Sequence, residues 1–247
     1  MLRTILRLLR PTTPRGRRVG FCSLASLIAG CMLVTTAAAQ SGVTLGVSAR
    51  IDAEVHGPLP EPDLRGSLGR VEARSPDGDV ITTLRLRVAD DRMLVQGVLP
   101  DLAGAQMLVP ITSEALWPCS VHASDPAARF LPASLVAVGL GGLRLGSGPP
   151  EPQPQPGDVL LVLVYADTNV NVQATCVEGL DTPLHVDTDL RPGWNLLASE
   201  LLRDAAVDHV LLRTATTEEI TRARWFSTMS PEPVAPDRHR KVPGDDD

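Results

Sequence analysis

The stretch D158-VLLVLVYA-DTN-VNVQAT-C176 decides the fold class. Val159 to Ala166 is an unbroken apolar run built mainly from Val and Leu, closed by Asp158 and Asp167. A run of that length and composition predicts a strand buried on both faces. Beyond Asp167-Thr168-Asn169, the residues Val170, Val172, Ala174 and Cys176 alternate with Asn171, Gln173 and Thr175. That period of two predicts a half-buried strand folding back on the first, a central hairpin with Cys176 on its inward face.

Working outward, the same alternation recurs. Val43, Leu45, Val47, Ala49, Ile51, Ala53 and Val55 share one face of a predicted strand, with Thr44, Ser48, Arg50, Asp52 and Glu54 on the other. Further strands are expected over 70–74, 80–88 and 93–99, and around Leu135 to Leu145, Leu184 to Leu190, Trp194 to Leu197 and Asp204 to Thr214. Pro126 to Pro132 reads as loop, and Pro110 to Pro118 suits one helical turn. Thr216 and Glu219 have the spacing of a capping box, which predicts a short helix up to Arg224, with Trp225-Phe226 closing the core.

The succession Val71-Glu72-Ala73-Arg74, Ser75-Pro76-Asp77-Gly78, an alternating strand, Ala89-Asp90-Asp91-Arg92, then Met93 to Leu99 and Pro100 resembles the carboxypeptidase-regulatory-like, transthyretin-type domain of exported bacterial proteins. The resemblance implies an antiparallel β-sandwich and a structural or interaction module with no catalytic residues to transfer. The expected fold is therefore all-β, an antiparallel sandwich of transthyretin or immunoglobulin type with nine to eleven strands, occupying residues 40–227.

Residues 1–39 are a separate object. Six arginines and no acid precede or flank an apolar segment from Val19 to Val34, and Ala37-Ala38-Ala39 offers a cleavage site before Gln40. This pattern predicts a secretory signal. Two alternatives stay open: an uncleaved membrane anchor, or a lipobox at Ile28-Ala29-Gly30-Cys31 with Cys31 lipidated. Any membrane association runs through this segment alone. Residues 228–247, rich in Pro and ending Asp245-Asp246-Asp247, predict a disordered acidic tail.

Losing the leader takes the formal charge from −6 to −12, which argues against a nucleic-acid surface. It also leaves Cys119 and Cys176 as the exported pair, and one even pair in an oxidising compartment predicts a disulfide. The compartment expected is periplasm, cell envelope or extracellular space.

Three constellations bear on chemistry. His185, Asp187 and Asp189 lie two apart, so a strand aims all three to one face as metal ligands would require; one strand supplies only one wall of a coordination sphere, so a solvated face is the expected reading. Asp167, Asn169, Asn171 and Glu178 fit four positions of a calcium-loop template, but Val172 stands where the template needs Gly. The histidines (His56, His122, His185, His209, His239) are dispersed, and no nucleophile or zinc motif accompanies them. The Pro-rich 149–157 reads as a stiff spacer. No cofactor and no catalytic residue are expected. The function expected is a non-enzymatic structural or interaction domain whose partner is an unknown envelope protein or polymer. The rival readings are a carbohydrate-binding module using Trp117, Trp194 and Trp225, a calcium-binding module, and a hydrolase using His122 or His185.

Overall fold

The computed structural model describes residues 42–57, 69–90, 92–116, 118–138, 141–147, 155–176, 182–204 and 207–228. The leader with Cys31, the tail beyond residue 228, residues 149–154 of the Pro-rich segment, Trp117, Glu178 and His239 lie outside them.

Among the described residues the chain is all-β apart from one helical segment. The strands are β1 (Val43–Thr44), β2 (Ala49–His56), β3 (Arg70–Arg74), β4 (Val80–Ala89), β5 (Arg92–Leu99), β6 (Val109–Pro110), β7 (Cys119–Ala123) and β8 (Arg129–Ala137). They continue as β9 (Gly141–Gly146), β10 (Val159–Ala166), β11 (Val170–Cys176), β12 (Leu184–Leu190), β13 (Gly193–Asp204), β14 (Val207–Thr214) and β15 (Arg224–Ser227). The helix α1 (Thr217–Arg222) begins at the capping box that Thr216 and Glu219 predict, with the Glu219 N–H donating to Thr216 Oγ1 at 3.2 Å.

The expected sandwich is corrected to a closed barrel with a second sheet attached. Eight strands, in the order β8-β3-β4-β5-β2-β15-β9-β10, return on themselves because β10 also pairs with β8, through Leu163↔Ala133 to Ala166↔Phe130. Closure removes the exposed edges that an open sheet would leave. The second sheet continues from β10 through β13, β14, β12 and β11 to β7, with β12 parallel to β14. Periodicity showed which side chains face inward, but a sandwich and a barrel have the same alternation.

Inside the barrel, Ile51, Val55, Leu84, Met93, Val95, Leu131, Leu145 and Leu163 are buried. Tyr165 and Trp194 meet edge-on with ring centroids 5.5 Å apart, and the Trp194 indole donates to the Pro100 carbonyl at 2.9 Å. An eight-strand barrel has an interior just wide enough for side chains to fill, and these fill it.

The apolar run behaves as its composition demands. Leu161, Leu163 and Tyr165 face the barrel core, while Val162, Val164 and Ala166 face a second cluster with Val170, Val172, Leu190 and Leu197. The expected hairpin between β10 and β11, however, does not form. Both edges of β10 are taken, by β13 on one side and by β8 and β9 on the other, and β11 pairs with β12 and β7 instead. Asp167 makes the corner: its carboxylate accepts from the Arg129 N–H and from Arg129 Nε, each at 2.9 Å, and its own N–H donates to the Arg129 carbonyl at 3.1 Å. The chain thus leaves the barrel pinned to the start of β8, where the Pro126 to Pro132 region, expected to be loop, is strand from Arg129 onward.

Candidate functional site

The site grows from a fault in the ladder. Strand β8 pairs with β10 through Ala133 and with β9 from Leu135 onward. Strand β9 in turn pairs with β8 through Leu143 and with β10 from Leu145 onward. Strand β10 changes partner between Leu161 and Leu163. Ser134, Arg144 and Val162 are the residues skipped at this three-way junction. Pro132, with no N–H to give the ladder, sits two residues before the switch, where a proline is tolerated.

All three skipped residues point away from the barrel core, because their neighbours Ala133, Leu135, Leu143, Leu145, Leu161 and Leu163 point into it. They line a cavity of about 380 Å³ whose other wall comes from the second sheet. Leu160 and Val164 of β10, Leu197 and Ser199 of β13, Leu212 of β14 and Leu184 of β12 complete it. The walls are apolar, mostly aliphatic with Phe130 and Trp225 among them, apart from Ser134, Ser199, Thr228 and Arg144. Leu143, Arg144, Leu160, Val162 and Leu212 are half buried, so the cavity is not sealed from solvent.

Arg144 is the exceptional residue. Its Nε is buried and has no hydrogen-bond partner among the described residues. Burial holds its guanidinium below the usual arginine range, the sign expected when a cation is moved away from water. The other displaced ionisations belong to closed pairs. Arg213 holds Glu219 down at about 2, and Arg203 holds Asp208 below the usual carboxylate range. Burial and a hydrogen bond to Asp101 push Tyr165 up to about 12.

Cys119 and Cys176 are joined by a disulfide that directly links paired positions of β7 and β11, with Cα atoms 4.1 Å apart. His185, Asp187 and Asp189 do share one exposed face of β12, opposite Thr175, Gln173 and Asn171. There Asn171 donates to Asp189 at 3.0 Å, and the His185 ring meets His209 edge-on at 5.5 Å. No three His, Cys, Asp or Glu side chains among the described residues come close enough to hold a metal ion. His122 lies across from Gln173 on the same open face, and among the described residues neither His122 nor His185 hydrogen-bonds to a serine and an aspartate. Of the calcium-loop residues, Asp167 is bound to Arg129 and Asn171 lies within β11. Trp194 and Trp225 are each 3% exposed, which removes them from any surface aromatic platform.

Sequence reasoning missed Arg144. The usable signal was a single cation between Leu143 and Leu145 in a Gly-rich, otherwise apolar stretch, an arrangement that puts a charge on one face of a strand with apolar neighbours on both sides. The class defined by fold and cavity is an all-β barrel carrying a second sheet with an internal disulfide, and an apolar cavity whose one cation has a buried Nε without a partner among the described residues. No known protein family, curated protein or solved structure matches this chain.

Proposed function

We propose that this chain is an exported, non-enzymatic interaction domain of the cell envelope or extracellular space, and that it acts by holding a ligand in the cavity above the β8/β9/β10 junction. The observation that supports this reading is the half-buried Arg144, whose buried Nε has no partner among the described residues, in a wall of apolar side chains. A largely apolar cavity with few polar groups is the usual form of a binding pocket, and 380 Å³ falls in the range such pockets occupy. Export is supported by the arginine-rich, apolar leader and by the Cys119–Cys176 disulfide. The meander β3-β4-β5 spans the residues that resemble transthyretin-type domains, so a distant relation to that family belongs to the same proposal.

Native mass spectrometry of the protein recovered from the exported fraction of its host tests this reading. The expected result is a disulfide-linked chain beginning near Gln40 that carries a non-covalent small molecule, released unchanged on unfolding. A chain that retains its leader and its free thiols, or one that turns over the released molecule, contradicts the proposal.

A further inference from the structure

Resting on the binding function just proposed, we infer that the cavity takes an elongated amphiphile with an anionic head, an alkyl-chain carboxylate, whose head group pairs with Arg144. The lining residues on the second-sheet side cross five adjacent strands, from β9 through β10, β13 and β14 to β12. A trough that crosses strands in this way, with Leu160, Val162, Leu197 and Leu212 along it, suits an extended alkyl chain better than a compact ring. Arg144 stands at the barrel side of the trough, on β9 and opposite Phe226 of β15. Its fork of donors matches a carboxylate in geometry and charge.

The energetics point to the same class. A buried Nε–H without an acceptor, as on the half-buried Arg144, is costly in the free protein, and a hydrophobic replacement of similar length removes that cost. Among the described residues, the other half-buried arginines, Arg74, Arg129, Arg203 and Arg213, are each paired with a carboxylate. The anion of a ligand supplies the missing partner, and the alkyl chain covers the aliphatic wall.

Isothermal titration of the mature, oxidised protein with decanoate and with decanol provides the test, run on the wild type, Arg144→Met and Arg144→Lys. We expect decanoate to bind the wild type at least ten-fold more tightly than decanol. Arg144→Met should lose at least ten-fold in decanoate affinity while binding decanol no worse, and Arg144→Lys should keep part of the preference. In the absence of ligand, Arg144→Met should melt about 2–4 °C above the wild type, a gain that a structural arginine would not give. Equal affinities for decanoate and decanol, or no loss in Arg144→Met, overturn the anionic head and leave the cavity reading standing. Binding of neither compound overturns both. That last result together with a destabilised Arg144→Met would show that an acidic residue of the chain itself occupies the guanidinium.

Discussion

Arg213 donates to both carboxylate oxygens of Glu219, through Nη1 at 2.9 Å and Nη2 at 2.6 Å, and the same Nη2 reaches Glu200 at 3.0 Å. One guanidinium on β14 therefore ties α1 to β13 and fixes the helix that leads into β15, the strand that completes the barrel wall.

This pair sets the acid limb of stability. The Glu219 carboxyl lies at about 2 in the folded chain against an ordinary 4.5. A depressed folded value means that the contribution is complete above about pH 4.5 and is lost as the pH falls toward 2. Glu219→Gln keeps an acceptor for the Thr216 N–H but loses the charge. It should cost about 1–2 kcal/mol at pH 7, after allowance for solvent screening, and should flatten the loss of stability between pH 4.5 and 2. Urea denaturation across that range measures both effects; an unchanged acid limb would rule the pairing out as its cause.

Asp167→Ala should destabilise the chain by about 2–3 kcal/mol, because it leaves both the Arg129 N–H and its guanidinium without their acceptor at the corner between the two sheets. The measurement is the guanidinium-chloride midpoint. A change below about 0.5 kcal/mol would mean that the corner holds without this carboxylate.

Gly193 and Gly78 form a natural control. Both have left-handed backbone, at φ +97° and +92°, but a Cβ on Gly193 would stand 2.3 Å from the Gly46 carbonyl oxygen, whereas Gly78 faces open space. Gly78→Ala should cost about 1 kcal/mol, the strain of the conformation alone. Gly193→Ala should cost clearly more, since Trp194 also donates to that Gly46 carbonyl at 2.8 Å and cannot shift freely. Equal melting temperatures for the two variants would contradict the close approach.

The disulfide closes a separation of 57 residues, worth about 4 kcal/mol on the chain-entropy model before strain. Reduction should lower the unfolding free energy by about 2–4 kcal/mol, and non-reducing peptide mapping of the exported protein should recover the Cys119 and Cys176 peptides joined. Recovery of both as free thiols would defeat the assignment and weaken the case for export.

Residues with local causes were legible in the sequence. The alternation of Ala49, Ile51, Ala53 and Val55, the two-faced burial of Val159 to Ala166, the capping box at Thr216 and the pairing of Cys119 with Cys176 each follow from chemistry within a few residues, or from elimination. The first half of the strand expected from Val43 to Val55 does not hold: Val43–Thr44 folds back antiparallel on β2, and Val47 is exposed in the turn between them. Partner choice was not legible. Nothing within Val159 to Cys176 says that β10 must pair with β13 and β8 rather than with β11, because that depends on Asp167 finding Arg129, 38 positions earlier. Arg144 escaped for the same reason. Its importance comes from three strands changing partners at one point, and a single strand read alone shows only a cation between two leucines.

The proposed binding function rests on Arg144 facing the cavity with its Nε–H unpartnered and receiving an anion there. Nitrogen–proton NMR of the arginine Nε–H groups during a decanoate titration tests it most directly. The Arg144 Nε–H resonance should move saturably downfield, in step with methyl resonances of Leu160, Leu197 and Leu212, while those of Arg129 and Arg213 stay in place. An Arg144 resonance that stays fixed while the leucine methyls shift, or a spectrum that does not respond at all, would contradict it.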